Sequence, residues 1–317
     1  NEPMSSSVLN PLKFQNLTET IAGEARAFVP FEGFRTLWFN TGTLCNLACE
    51  NCYIESSPVN DALVYINTKD LELYLNEVAE SQTDTFEIGF TGGEPFVNPH
   101  MNQMLELTLE RGFDALVLTN AMLPMLRPSV ATPLLELKVR FGDRLTLRVS
   151  LDHYTSILHE KERGIGSWKP VIKGMEWLSE HGFNVHVAGR TCWGESVADA
   201  REGYDELFKR YGWSVNAMNG GELVLFPEME MKTDLPEIST GCWDILGKST
   251  SQMMCASSRM VVKRRGANSP TVVACTLLPH SDDFDFGPGL KGATQDVFLN
   301  HPHCARFCVL GGASCSA

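Results

Sequence analysis

The chain has 317 residues, 43% of them hydrophobic, and 26 Lys and Arg against 39 Asp and Glu leave a formal charge of −13. That composition belongs to a globular protein. The acidic balance excludes broad attachment to phosphate backbones or anionic membranes, which need clustered Lys and Arg. No run reaches the ~18 apolar residues of a membrane span, and no secretory pattern opens the chain, so a cytoplasmic protein with no membrane and no nucleic-acid partner is expected. The one dense basic run, Lys263-Arg264-Arg265, reads as a solvated hairpin tip.

After an irregular first 34 residues, apolar β-rich runs alternate with helix-period segments that close on glycine. Strands are expected at 35–40, 86–91, 115–119, 145–151, 185–189 and 222–226. Between them, Thr68 is read as the cap of a helix with Leu71, Leu75 and Val78 on one face. Asn98 and Pro99 are read as the start of a second helix, and a third is expected within 131–141. Later helices follow from the Val171, Ile172, Met175, Leu178 and Tyr204, Leu207, Phe208, Tyr211 stripes. Strand and helix in alternation imply right-handed crossovers and a parallel sheet, wrapped like a barrel or open and doubly wound. From about Met231 the alternation stops, and a hairpin of 260–263 and 271–274 introduces a cysteine-rich tail too poor in large apolar residues to form its own core.

Ligands of parallel α/β proteins meet the loops at the carboxyl ends of strands. The unusual residues fall there. Cys45, Cys49 and Cys52 follow the first strand, Gly92-Gly93-Glu94-Pro95 the second and Asn120 the third. Ser150 and Asp152 end the fourth, and Arg190 and Cys192 the fifth. Ten cysteines in a chain read as cytoplasmic point to metal or catalysis rather than to disulfides. Three thiolates on one short loop grip a compact object from one side. Structural zinc usually takes two separated pairs, whereas a cubane iron-sulfur cluster held by three thiolates keeps one iron open. A second set, Cys255, Cys275, Cys304, Cys308 and Cys315, crowds the C-terminal fifth.

The Cys45-x3-Cys49-x2-Cys52 spacing, Tyr53 after it, and Gly92-Gly93-Glu94-Pro95 some 40 residues later resemble the radical S-adenosylmethionine (radical SAM) superfamily from about residue 35 to 230. The resemblance implies an α/β fold, a partial (β/α)6 barrel with a small C-terminal cysteine-rich β-hairpin/helix module. Its divisions would be an N-terminal extension 1–34, the core 35–230 and an auxiliary module 231–317. It implies that Cys45, Cys49 and Cys52 hold a 4Fe-4S cluster whose open iron chelates S-adenosylmethionine, cleaved by one electron to a 5′-deoxyadenosyl radical. Gly92, Gly93 and Glu94 would hold the methionine ammonium, Tyr53 would sit near adenine, Ser150 would contact the ribose or carboxylate, and Arg190 would pair with the carboxylate. Asn120 and Asp152 are further cofactor candidates, although both residue types also cap helices.

The tail looks like the auxiliary-cluster extension called twitch or SPASM. Its departures from the larger pattern favour one auxiliary 4Fe-4S cluster held by four of its five thiols, with zinc as the structural alternative. Cys192 is a candidate hydrogen-atom donor to a substrate radical, with core packing as its ordinary alternative; Cys242 is expected to be a buried apolar thiol. The run His159-Glu160-Lys161-Glu162-Arg163-Gly164 is read as loop ordering. The expected function is radical abstraction of hydrogen from a substrate carbon, with reduced ferredoxin or flavodoxin as electron donor. A small metabolite is preferred as substrate because 34 residues ahead of the first strand are too few for a peptide-recognition domain. The alternatives are a maturase of a ribosomally made peptide or protein and, in another class, an iron-sulfur electron-transfer protein.

Overall fold

The computed structural model describes residues 8–81 and 84–312. In chain order its elements are β1 (Phe28–Val29), β2 (Thr36–Asn40), α1 (Thr68–Glu80), β3 (Glu87–Thr91), α2 (Met101–Glu110) and β4 (Asp114–Thr119). Then come α3 (Leu123–Leu126), α4 (Pro128–Phe141), β5 (Leu145–Ser150), α5 (Ser156–Arg163), α6 (Trp168–Glu180), β6 (Asn184–Arg190), α7 (Val197–Tyr211) and β7 (Leu223–Phe226). The C-terminal part holds α8 (Cys242–Leu246), β8 (Ser258–Val262), β9 (Thr271–Val273), β10 (Val297–Phe298) and a π-helical turn, Cys304–Leu310.

Strands β2 to β7 lie side by side in sequence order and all pair in parallel, as six strand-helix units require. The sheet is open among the described residues, a partial barrel. Side chains alternate across it with period two. Leu37, Phe39, Ile88, Phe90 and Val117 pack beneath the helices, while Trp38, Leu116, Met260 and Val262 pack against the C-terminal residues on the other face. Gly89 is required by this second layer, since a Cβ there would press on the fully buried Trp38 indole, with Cδ2 at 2.6 Å.

The hairpin does not stand apart. Strand β8 pairs in parallel with β2, with Leu37 opposite Arg259, and β9 pairs antiparallel with β8, so the one sheet has eight strands across the expected boundary near residue 231. The N-terminal extension is stitched to the same region. Strand β1 pairs with β10, and buried Arg26 meets Glu237 at 2.6 Å. The basic run is matched by acids rather than only solvated: Lys263 pairs with Asp70 at 3.0 Å and Arg264 with Asp285 at 2.9 Å.

Local details differ from expectation for physical reasons. Asn67, not Thr68, caps α1, because its side chain accepts from the Asp70 amide at 3.0 Å while Asp70 accepts from the Asn67 amide at 3.2 Å. Helix α2 begins at Met101 because Asn98 is used elsewhere: its amide donates to the carbonyls of Thr41 and Ile66 at 2.9 and 2.8 Å, tying the ends of β2 and α1. No helix among the described residues is long and apolar enough to cross a membrane.

Candidate functional site

The cleft forms where the strand ends converge. It encloses about 800 Å³ open to solvent, and Cys45, Cys49, Cys52 and Tyr53 form one wall. Gly92 and Gly93 contribute the next, with Asn120, Ser150 and Asp152 beyond them and Arg190 opposite. Two expected residues lie elsewhere. Glu94 is buried behind the cleft, and Cys192, half-buried past Arg190, is not among the lining residues.

The glycine loop lies on the cysteine loop. The Gly93 amide donates to the Gly42 carbonyl at 2.8 Å and the Glu94 amide to that of Leu44 at 3.2 Å. A Cβ on Gly93 would collide with the Leu44 peptide, its carbonyl carbon at 2.6 Å, and one on Gly92, at φ +139°, would sit 2.6 Å from the Gly42 oxygen. Close approach of backbone to backbone already demands glycine here, independent of any ligand. Glu94 fastens the same corner from below, accepting from Thr119 Oγ1 at 2.8 Å, the Asn120 amide at 2.8 Å and the Phe96 amide at 3.1 Å. Burial pushes its carboxyl up from the ordinary range while these three donors hold it down. Asn120 passes the order on, its side-chain amide donating to Asn46 Oδ1 at 2.8 Å inside the cysteine loop, and its own oxygen accepting from the Met122 amide at 3.1 Å.

Helix α5 supplies what sequence reasoning missed. Glu162 buckles the cysteine loop, receiving the Asn51 amide at 3.2 Å and its side-chain amide at 2.8 Å, while its carbonyl accepts from the Glu50 amide at 3.1 Å. Arg163 lines the cleft and meets Asp152 at 2.7 Å, with Arg190 3.7 Å from the same carboxylate and 3.8 Å from Glu162. Two guanidinium groups and two carboxylates thus form one buried, balanced cluster at the mouth of the cysteine loop. Burial works against the Arg163 charge, but Asp152 and the Cys49 and Cys45 thiolates raise its pKa above the ordinary value. The signal in the sequence was the polar run 159–163, which follows the strand end at Ser150 and Asp152 by six residues.

Burial pushes the Cys45 thiol up to about 12 and raises that of Cys49, with Arg163 acting against the rise at both. Three thiols facing one cleft, next to buried guanidinium groups, suit a cationic metal cluster that takes the thiolate form. Burial also takes the Cys192 thiol to about 11.

His159 turns its ring behind this cluster. Its Nδ1 accepts the Asp152 amide at 3.3 Å, which puts the proton on Nε2, and that nitrogen is buried without a partner. Burial lowers its pKa to about 4, followed by repulsion from Arg163. A folded value below the unfolded ~6.5 means the unfolded chain binds more protons between the two. The contribution of His159 is therefore whole above pH ~6.5 and lost as pH falls toward 4, amounting to about 3 kcal/mol at most. Urea unfolding at pH 7.5 and 5 should show part of this drop, added to that from the similarly depressed His301 and His303, and His159→Gln should make the total smaller; an unchanged drop in the variant would refute the assignment.

A second cavity, about 400 Å³, is lined by Cys255, Cys275, Cys304 and Cys308 amid apolar residues such as Met253, Phe284 and Val297. Cys315 lies outside the described residues. Cys242 is not on this cavity but half-buried, its sulfur 3.5 Å from Ser239 Oγ. Burial raises Cys255 to about 11 and Cys304 well above the ordinary thiol value. His303 forms part of the wall with a buried Nδ1 that has no partner. A groove bordered by Tyr53, His280 and His303 adjoins both cavities. Among the described residues, no three His, Cys, Asp or Glu side chains stand close enough to hold a single metal ion.

Residues 39–207 match the radical SAM superfamily. The chain is similar to the antilisterial bacteriocin subtilosin biosynthesis protein AlbA of Bacillus subtilis (strain 168), 35% identical over 145 residues, which is 45% of this chain and 30% of that protein. It is also similar to the mycofactocin maturase MftC of Mycobacterium tuberculosis, 26% identical over 53% of this chain and 40% of that one. The chain thus spans less than half the length of these curated relatives. Among solved structures, anSMEcpe with bound AdoMet aligns at a TM-score of 0.59 and 16% identity, over 84% of this chain and 81% of that one. Streptococcus suis SuiB bound to S-adenosylmethionine aligns at 0.58 and 14%, over 80% and 63%.

Proposed function

The chain belongs to the radical SAM superfamily, and on that premise we propose that it is a maturase that modifies a ribosomally made peptide or protein by radical chemistry. In this reading Cys45, Cys49 and Cys52 hold the 4Fe-4S cluster that the family implies. When bound, the cluster and S-adenosylmethionine together supply the 5′-deoxyadenosyl radical that takes hydrogen from a substrate carbon. Tyr53, Gly92, Gly93, Asn120 and Ser150 shape the cofactor cleft, and Arg190, tied less closely to Asp152 than Arg163 is, offers its guanidinium to the cofactor carboxylate. Glu94 and Asp152 hold the loops and cations in place. Reduced ferredoxin or flavodoxin is the proposed electron donor.

The observation that carries the reading is the convergence of three thiols from one loop with the glycine loop and two guanidinium groups on a single cleft. The preference for a peptide over a small metabolite rests on the relatives, one named for biosynthesis of a bacteriocin and the other as a maturase. We further propose that residues 35–230 carry the cofactor and 231–317 an auxiliary 4Fe-4S cluster on Cys255, Cys275, Cys304 and Cys308, a donor set whose thiolate chemistry and apolar walls suit one.

Anaerobic, reconstituted protein should contain about eight irons and as many sulfides, and should form 5′-deoxyadenosine when reduced with S-adenosylmethionine. Triple replacement of Cys45, Cys49 and Cys52 by alanine should leave about four irons and no cleavage. Intact clusters without cleavage would favour an electron carrier; zinc in place of the second four irons would remove the auxiliary cluster. Cleavage that depends on a small metabolite, with no mass change in precursor peptides encoded beside the gene, would overturn the peptide reading.

A further inference from the structure

Arg259, on β8, is fully buried. Its guanidinium donates only to backbone carbonyls: Nε to Ala293 at 2.9 Å, Nη1 to Cys255 at 2.5 Å and Ser258 at 2.8 Å, and Nη2 to Gln295 at 2.8 Å. It lies over the rings of Phe31 and Phe286, at 4.6 and 5.3 Å. Among the described residues no carboxylate comes within the 4.0 Å of an ion pair. Arg26, equally deep, has Glu237 at 2.6 Å. Carbonyl dipoles satisfy the donors of Arg259, and its charge is answered only through space, first by the Cys255 and Cys275 sulfurs and after them by Asp296, which lies beyond ion-pair distance; a unit charge taken out of water is expensive unless something anionic answers it.

The larger part of that answer comes from the thiol-lined cavity. Nη1 is bonded to the backbone of Cys255 itself, and Cys275, Cys304 and Cys308 complete the lining. Four thiolates around an iron-sulfur cubane give a net negative charge that grows on reduction. We propose that Arg259 is the fixed counter-charge of the group held by Cys255, Cys275, Cys304 and Cys308, and that it raises that group's reduction potential relative to the cluster of the Cys45 loop. This rests on the reading of the second cavity as an auxiliary-cluster site. Arg259 touches neither substrate nor cofactor; it is a positioning residue for charge. Were the group held there to take one electron from the reduced ferredoxin or flavodoxin, the guanidinium would stabilise the added negative charge, and no proton need move.

The test is a potentiometric titration of anaerobic holoenzyme followed by electron paramagnetic resonance, with the cluster of the Cys45 loop as internal reference. One unit charge acting over ~10 Å at an effective dielectric of ~20 changes an equilibrium by at least tenfold. In Arg259→Gln, the reduced-to-oxidised ratio of the auxiliary cluster at a set potential should fall about tenfold, equivalent to ~59 mV, while the reference does not shift. Arg259→Lys keeps the charge and loses the fork, so its melting temperature should fall while its ratio stays near wild type. It decides the matter even if the glutamine variant does not fold. An unshifted ratio in Arg259→Gln with full iron, or a fall in Arg259→Lys as large as that expected for glutamine, would overturn the role of Arg259. Wild-type protein with iron only at the Cys45 loop would instead overturn the auxiliary-cluster reading.

Discussion

Gly93→Ala should lower 5′-deoxyadenosine formation about a hundredfold or more, because displacement of a reacting group by ~1 Å has an effect of that size. The added methyl meets the peptide of Leu44, with the carbonyl carbon at 2.6 Å, and the Thr43 oxygen at 2.9 Å. These are backbone atoms of the segment that leads straight into Cys45, so no side chain can swing aside to relieve the contact. Nor can the loop retreat freely. The Cys45 amide is bonded to the Ser57 carbonyl at 3.1 Å, and the Glu94 amide to the Leu44 carbonyl at 3.2 Å. Strain must therefore move the first cysteine relative to the glycine loop. Gly220→Ala is the control, since its methyl meets nothing nearer than an Arg201 nitrogen at 4.0 Å. Measured as nucleoside released per cluster under identical reduction, near-wild-type cleavage by Gly93→Ala would show that the two loops do not act as one unit.

Much of this arrangement was legible in the residue order because two periodicities did not interfere. The apolar alternation of Leu37, Phe39, Ile88 and Phe90 marks strands, and glycines after apolar stripes mark helix ends, so the residue order alone places the strand-end loops. Once located, they collected Cys45, Gly92, Asn120, Ser150 and Arg190 on one cleft. Glu94 was legible as a member of the corner but not in its direction. Its position beside two glycines suggested a ligand contact but not the three donors, Thr119 Oγ1 and the Asn120 and Phe96 amides, that hold its carboxylate at 2.8 to 3.1 Å.

What was hidden depends on pairing at long range. The hairpin of β8 and β9 carries no mark saying that β8 will lie beside β2, more than 200 residues earlier, so the element that the core-poor tail leans on was not legible in the sequence. Arg163 was hidden for a related reason. A charged helix end is ordinarily solvated, and only the packing of α5 against the cysteine loop, through Glu162 and Asn51, turns this one inward. Short-range competition misled at α1, where Asn67 and Thr68 both suit a cap and the reciprocal bond with Asp70 decided between them.

Arg163→Met should deprive the three-cysteine site of its iron and remove cofactor cleavage, a larger effect than that of any single cleft-lining hydroxyl or amide. Cluster assembly needs thiolates, and burial opposes their formation at Cys45 and Cys49. Arg163 is the positive charge that lowers the thiol pKa at both. Its loss also leaves Asp152 buried with only Arg190, 3.7 Å away, and removing one partner of a buried pair typically destabilises by about 3–5 kcal/mol. The two consequences are separable. Arg163→Lys keeps a cation near the sulfurs but cannot reproduce both the 2.7 Å ion-pair contact of Nε with Asp152 and the hydrogen bond that Nη2 donates to it at 3.2 Å. Lysine should therefore restore most of the iron while unfolding at lower urea than wild type; methionine should fail on both counts. Iron bound after a chelator challenge reads the first effect and the urea midpoint the second. Full iron retention by Arg163→Met would reject the electrostatic role and leave Arg163 a purely structural tie between α5 and the end of β5.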